Sequence, residues 1–185
     1  TPANHALYYL NYISLNVQRV EQYLGTLKGE EIQRYAADVL SQTAADEDFT
    51  ARIGDGVFLL ALQAPSEEAA CTRISEILEQ LNRYEGTFLE EHRVLFRAGV
   101  FWMDAANLPA ETAVFNARQG YNAAAQNQCS FVFADKTLLN HEATKIELQR
   151  KLSDALDRGE FLLYMQMIVD RNERIVGAEA LTRWQ

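Results

Sequence analysis

The first candidate for chemistry in this sequence is the segment Gly54-Asp55-Gly56, which lies between Arg52 and an apolar run that begins at Val57. Successive backbone amides in a glycine-rich turn can bind a phosphate, and an aspartate oxygen can bind a divalent cation. The same Asp-Gly pair is typical of a tight hairpin turn, because Asp and Gly tolerate backbone angles that other residues avoid. The segment therefore predicts either a loop that binds a phosphate and a metal, or only a hairpin turn.

The segments around this turn must be strands and helices that hold it in place. Residues 49–53 and 57–63 alternate in a way that predicts the two arms of a β-hairpin. Residues 5–15 carry no charge and are rich in aromatic and β-branched side chains, which predicts a central strand buried on both faces. Two helices follow it, with Gly25 and Gly29 as breaks between them. Their apolar faces are Val17, Val20, Tyr23 and Leu24 in the first, and Ile32, Tyr35, Ala36, Val39 and Leu40 in the second.

The remaining segments up to residue 135 continue the same architecture. Ser66, after Pro65, is a good N-cap for a helix that runs to about Asn82. A strand over 93–103 follows, then a helix from Pro109 to about Gln126 and a short strand over 130–134. The order β-α-α-β-β-α-β-α-β predicts an α+β fold, in which helices pack on a sheet that contains antiparallel strands.

The pattern changes after residue 135. Residues 138–158 form a charged amphipathic helix that ends at Gly159. Its apolar side holds Leu148, Leu152, Ala155 and Leu156. Residues 160–170 and 174–184 then predict two strands joined by a polar turn. Because two strands alone cannot bury their apolar faces, we expect this hairpin to be the front edge of a second domain.

Composition excludes several classes of function. The net charge of -9 argues against a nucleic-acid partner, because affinity for a phosphate backbone depends on clustered Lys and Arg. Cys71 and Cys129 lack the spacing of a zinc site, as do His5, His92 and His141, which predicts two reduced thiols. No apolar run is long enough to cross a bilayer. We therefore expect a soluble, cytoplasmic chain, whose parent protein could be anchored through segments outside this sequence.

The stretch from Asp157 to Trp184 reads DRGEFLLYMQMIVDRNERIVGAEALTRW. It resembles the beginning of the EAL family of cyclic di-GMP phosphodiesterases, in which a YQPI segment precedes an EALxRW segment. The resemblance implies that Glu179 is a metal ligand in an intact domain, which would use magnesium or manganese. It also implies that three residues line a cyclic di-GMP pocket: Gln166, Leu181 and Arg183. Met165 and Met167 replace the family's Tyr and Pro, which changes packing more than chemistry.

EAL domains commonly follow GGDEF domains, and residues 5–135 resemble that family of diguanylate cyclases. The family's five-residue motif lies in the hairpin turn, where this chain has Gly54, Asp55, Gly56, Val57 and Phe58. The segments LGTLKGE (24–30) and FRAGVFWM (96–103) also match landmarks of the family. The resemblance implies a nucleotide-cyclase palm of ferredoxin-like type, with helices on a mixed, mostly antiparallel sheet.

Several of the matched positions lack the residues that cyclase chemistry needs. Two divalent cations require carboxylate ligands, which the resemblance places at the end of the first strand and at the fourth position of the motif. Residues 1–20 contain no Asp or Glu, and Val57 fills that fourth position. Ala125 and Cys129 stand where the family has the Lys and Arg that reach the triphosphate. The segment Ala45 to Asp48 occupies the place of the inhibitory cyclic di-GMP site; Asp48 could be its Asp, but its Arg is missing.

These observations define the organisation and the function that we expect. Residues 1–137 are a degenerate, catalytically silent GGDEF domain, 138–158 a linker helix that could pair with a second copy, and 159–185 the N-terminal fragment of an EAL domain. The chain is then a regulatory or interaction module, needs no cofactor and does not hydrolyse cyclic di-GMP by itself. Its partners would be its own EAL domain, upstream sensor domains and cyclic di-GMP bound by an intact EAL domain. Two alternatives stay open: the non-catalytic portion of an active phosphodiesterase with GTP as a weak allosteric ligand, or of a cyclic di-GMP receptor.

Overall fold

The computed structural model describes residues 7–15, 17–84, 95–103 and 108–185. The strands in chain order are β1 (Leu7–Ser14), β2 (Phe49–Gly54), β3 (Val57–Ala64), β4 (Arg97–Met103), β5 (Phe131–Phe133), β6 (Phe161–Val169) and β7 (Ile175–Trp184). The helices are α1 (Val17–Leu24), α2 (Thr26–Thr43), α3 (Glu67–Leu81), α4 (Ala110–Gln126) and α5 (Lys136–Asp157). The predicted strand residues 5–6 and 93–94, and the side chain of Val17, lie outside the described residues.

Strands β1 to β5 form one sheet in the order β2-β3-β1-β4-β5. The pairs β1–β3, β1–β4 and β2–β3 are antiparallel, whereas β4–β5 is parallel. The central position of β1 explains its uncharged, apolar sequence, since both of its faces are covered. The predicted α+β fold with a mixed, mostly antiparallel sheet is confirmed.

Helices cover the two faces of this sheet. Alternate residues of β1, such as Ile13, face a large core shared with α2 and α3, while Leu10 faces a smaller core shared with α4. Helix α4 lies against the sheet at Gly99, where an added Cβ would come within 1.8 Å of a helix carbonyl oxygen. Gly99 is therefore required by this close approach, which fixes the distance between α4 and β4.

Two details of the helical region differ from the sequence prediction. Gly29 was expected to separate two helices, but it lies buried inside α2. The break between α1 and α2 is at Gly25 alone, which has a φ of 84°. The small size of Gly29 makes room for the side chain of Glu21 on α1. The predicted apolar face of α1 is also partly wrong, because Tyr23 is 56% exposed and Leu24 38% exposed.

The chain divides into two compact units, Thr1–Leu139 and Asn140–Gln185. The second unit contains most of α5 and the antiparallel hairpin β6–β7. Gly159, with a φ of 70°, follows α5 and ends it. On α5, Ala155 is buried, whereas its other predicted apolar residues, Leu148, Leu152 and Leu156, are exposed. No helix in the described ranges has the length and apolar character needed to cross a membrane.

Candidate functional site

The Gly54–Phe58 segment is a hairpin turn held from inside the protein. Gly56 has a φ of 69°, which glycine tolerates and which closes the turn. Its N–H donates to Oε1 of Gln33 on α2 at 2.9 Å, and its carbonyl accepts from the N–H of Leu15 at 3.0 Å. Phe58 is 2% exposed and anchors the following strand in the core. The predicted hairpin is present, and the amide of Gly56 already has an internal acceptor.

The charged groups of the turn point to solvent and pair with each other. The Asp55 side chain is 86% exposed and lies 3.3 Å from the Arg52 guanidinium. Arg52 also donates to the carbonyl of Gly54. An ion pair as exposed as this one contributes little to stability. The single carboxylate of the turn is therefore a solvated group paired with Arg52.

The end of β1 is the place where the resemblance puts the first cation ligand. Here Val57 pairs with Ser14 across β1 and β3, and the next described residue is Leu15. None of these three side chains has a carboxylate, and hard divalent cations require oxygen ligands of that type. Over the described ranges there is also no group of three or more His, Cys, Asp or Glu side chains placed to share a metal ion. The donor set at this point does not fit magnesium or manganese.

The C-terminal end of α4 holds the two positions assigned to triphosphate contacts. Ala125 lies exposed in the last turn of the helix, and the chain leaves the helix through Gln128, which has a φ of 55°. The half-buried Cys129 thiol lies near the carbonyl oxygens of Ala124 and Phe131, at 3.8 and 3.5 Å. Neither side chain provides a cation for a phosphate.

The side chain of Asp48, the candidate residue of the inhibitory site, is buried, and both of its carboxylate oxygens are hydrogen-bonded within the protein. Its side chain has no exposed surface and is 2.6 Å from the Arg73 guanidinium of α3. Its two carboxylate oxygens also accept from the backbone N–H groups of Ala45 and Gln63, each at 2.9 Å. Burial raises the pKa of Asp48, but the hydrogen bonds from Arg73 and from the two backbone groups outweigh burial and hold the pKa below its ordinary value. This carboxylate ties the 45–48 turn to β3 and α3.

Gln33 and Arg73 were missed by the sequence analysis, although the sequence contains a signal for both. Gln33 lies on the buried side of α2, between Gly29 and Ala36. Arg73 is next to the buried Ile74 on α3 and reaches Asp48 across 25 residues of chain. A polar residue at an apolar position of an amphipathic helix usually has a buried partner, because burying it alone is costly.

The second unit brings the residues implied by the EAL resemblance to one face of its hairpin. Gln166 of β6 pairs directly with Glu179 of β7. Leu181 and Arg183 follow Glu179 at two-residue steps, and therefore share its face of the hairpin. Met165 and Met167 pair with alanines on the opposite face. Glu179 is exposed, and a single carboxylate supplies only one ligand of a metal site.

Comparison with known proteins places these observations in a family. Residues 11–129, well over half of the chain, match the model of the family described as "Diguanylate cyclase, GGDEF domain". The bifunctional diguanylate cyclase/cyclic di-GMP phosphodiesterase MucR of Pseudomonas aeruginosa is 24% identical over 88% of this chain. The probable cyclic di-GMP phosphodiesterase PdeI of Escherichia coli is 46% identical over 29% of it. The chain spans only 24% of MucR and 7% of PdeI.

A solved structure shows a similar fold. The S helix-GGDEF-EAL structure of Vibrio cholerae LapD, which is bound to c-di-GMP, matches the whole of this chain over 43% of its own length. The TM-score is 0.63 and the sequence identity is 12%, so the likeness concerns the fold. Together with the five-stranded sheet, its helices and the family match over residues 11–129, this establishes that the chain belongs to the GGDEF family of diguanylate cyclase domains.

Proposed function

We propose that the GGDEF domain of this chain is a non-catalytic regulatory or interaction module of a bacterial cyclic di-GMP signalling protein of GGDEF-EAL type. The observation that carries the proposal is the state of the turn. Val57 lies opposite Ser14 where a cation ligand is needed, and the Gly56 amide is bonded to Gln33. A cyclase active site needs at least two carboxylates and free phosphate-binding donors at this point, whereas this turn has one solvated carboxylate, Asp55, and a Gly56 amide that is already bonded.

The proposal predicts that the turn has lost both functions of a cyclase site. Without two carboxylates, no pair of cations can neutralise a triphosphate and activate a 3′-hydroxyl group. Weak binding of GTP would have to displace the Gln33 amide from Gly56, because a phosphate oxygen and Oε1 would compete for one N–H. We therefore expect GTP binding to be much weaker than that of an active cyclase.

Isothermal titration with GTP and magnesium tests this proposal. The expected result is no measurable heat at micromolar GTP and no cyclic di-GMP product after prolonged incubation. A matched variant, Gln33→Ala, frees the amide of Gly56 without adding a carboxylate, so it should remain inactive even if it binds GTP slightly better. Micromolar GTP binding by the unaltered chain, or any product formed by it, would overturn the proposal.

A second function is favoured by the shared face of Gln166, Glu179, Leu181 and Arg183 on the β6–β7 hairpin. We propose that this hairpin begins an EAL domain, which the adjoining GGDEF domain regulates. In that domain Glu179 would be one ligand of a magnesium or manganese ion, and Arg183 would contact a phosphate or guanine edge of cyclic di-GMP. The LapD and MucR matches support this organisation, since both names join the two activities or domains in one protein.

The two forms of this second function differ in turnover. A protein extended through a complete EAL domain would hydrolyse cyclic di-GMP if it is a phosphodiesterase, and would bind without turnover if it is a receptor. Glu179→Gln should abolish metal-dependent hydrolysis in the first case, while the Met165→Leu control on the opposite face should retain it. Failure of the extended protein to bind cyclic di-GMP at all would contradict both forms.

A further inference from the structure

An apolar groove of about 440 Å³ lies along the first half of α4, on the sheet face that this helix covers only in part. We call it the α4 groove. It is lined by Ile53, Leu59, Ala110, Glu111, Val114, Phe115 and Arg118. Helix α4 packs mainly on β4, β1 and β5. On the same face, Leu59 and Ala61 of β3 are only partly buried against the core shared with α4, and Ile53 of β2 is exposed.

The groove has an exposed apolar rim. Phe115 on the helix is 43% exposed and Ile53 on β2 is 51% exposed. Phe49, also on β2 and on the same face as Ile53, is 66% exposed. Large exposed apolar side chains gathered on one face are typical of surfaces that bind another molecule.

Two charges frame the groove along the helix. Glu111 and Arg118 are seven residues apart, which places them on the same side of α4 and about 10 Å apart along its axis. Neither makes an ion pair with another residue that the structure describes; Arg118 instead lies over the Phe115 ring at 5.5 Å. The groove thus has a negative end and a positive end, with Val114 and Phe115 midway between them.

This arrangement is complementary to itself. If a second copy of α4 lies antiparallel to the first, with the twofold axis beside Val114 and Phe115, then Glu111 of each copy faces Arg118 of the other. A twofold interface requires this reciprocity, in which residue i meets j and j meets i. From the exposed rim and the two reciprocal charges, we propose that the α4 groove is a homodimer interface between two GGDEF domains.

The expected contacts have two roles: the apolar contacts supply the affinity, and the ion pairs set the orientation of the two copies. Phe115 of each copy enters the groove of the other, against Ile53 and Leu59, and supplies the apolar area removed from water. The two ion pairs at the ends select the antiparallel arrangement, since a parallel one would place like charges together. The turn residues Gly54 to Phe58 do not line the groove, although Ile53 immediately precedes them.

Charge reversal tests the proposal through sedimentation equilibrium of the 185-residue chain. Arg118→Glu and Glu111→Arg each place like charges at both ends of the dimer, and each should raise the dimer dissociation constant at least tenfold. An equimolar mixture of these two single variants should associate again, because each mixed dimer regains an opposite-charge pair at both ends. The double variant should also associate, with a dissociation constant within about threefold of the unaltered chain.

Controls separate this interface from loss of folding and from other surfaces. Arg34→Glu makes the same charge change on α2, on the other face of the sheet, and should leave the dissociation constant unchanged. Circular dichroism must show that all variants fold. A monomeric unaltered chain at 200 micromolar would overturn the proposal, as would association that ignores both single charge reversals. Association abolished by Leu152→Glu on α5 but unaffected at Arg118 would assign the dimer to α5 instead, and would also overturn it.

Discussion

Replacing Asp48 by asparagine tests whether this residue has become part of the scaffold. The substitution keeps the shape of the side chain and removes its charge. In the native protein, one carboxylate oxygen accepts from the Gln63 N–H and Arg73 Nη1, and the other from the Ala45 N–H and Arg73 Nη2. An asparagine amide presents only one oxygen, so its NH2 group must face one backbone N–H and one guanidinium nitrogen.

The cost follows from these four contacts. One buried backbone N–H without an acceptor costs about 1–3 kcal/mol. Loss of the pair with Arg73 adds about 1–2 kcal/mol, less than for a fully buried pair because Arg73 is 28% exposed. We therefore expect Asp48→Asn to lower the free energy of unfolding by about 3 kcal/mol at pH 7. Asp46→Asn, two residues earlier on the exposed side of the same turn, should change it by less than about 0.5 kcal/mol.

The assay can report on the GGDEF unit alone, since each unit contains one of the two tryptophans. In a Trp184→Phe background, urea unfolding followed by fluorescence measures the unit that contains Trp102. The pKa of Asp48 is lowered in the folded protein, so its stabilising effect is complete above the unfolded pKa of about 3.9. The effect is lost as the pH falls through the lower, folded pKa. The difference between native Asp48 and Asp48→Asn should therefore be constant from pH 5 to 8 and narrow below pH 4.

The result that would refute this reasoning is a small effect. If Asp48→Asn costs less than about 1 kcal/mol, or no more than Asp46→Asn, the carboxylate is not holding its turn. A gap that stays constant down to pH 2 would contradict the electrostatic part of the argument, because the protonated acid could no longer accept from Arg73.

Three further substitutions test the packing and the turn. Gly99→Ala should lower the free energy of unfolding by more than about 3 kcal/mol or prevent folding, because its Cβ would lie 1.8 Å from a backbone oxygen. The control is Gly54→Ala, whose Cβ meets no atom closer than 3.9 Å, and thermal unfolding compares the two variants. Gln33→Ala should cost about 1–2 kcal/mol and speed hydrogen exchange of the Gly56 amide by at least tenfold, and unchanged exchange would disprove the bond. Ser66→Ala should lower stability by about 1 kcal/mol through loss of the cap, as measured in urea, and no loss would contradict the capping geometry.

The elements that the sequence predicted best are those whose signals are local. Asp55-Gly56 predicted a tight turn, Ser66 predicted the start of α3, and Pro109 the start of α4, and each lies where a short-range steric or hydrogen-bonding rule applies. The error at Gly29 has the opposite origin. Glycine has a low helix propensity, so the sequence predicted a break at this residue. In the structure Gly29 lies within α2, where its lack of a side chain leaves room for Glu21 of α1.

The candidate site was harder to predict because its state depends on contacts between distant segments. The sequence showed that Val57 cannot bind a metal, but not that Gln33, 23 residues before Gly56, bonds to the turn amide. It offered Asp48 as a ligand-binding residue, whereas the Arg73 contact that buries it comes from α3. Pairings of this kind are fixed by how α2 and α3 pack on the sheet, which no local pattern specifies.

These two internal bonds bear on the proposed loss of the nucleotide site. An enzyme between turnovers keeps donors and charges exposed for its substrate, at a cost in stability that binding recovers. In this chain the Gly56 amide and the Asp48 carboxylate are both satisfied by the protein itself, so the same polar groups now stabilise the fold without a ligand. Restoring the carboxylates alone would then not restore binding, since Gln33 would still hold the turn amide. Under the proposed function, selection would act on the stability and the surfaces of this domain, and the α4 groove, with Glu111 and Arg118 at its two ends, is one such surface.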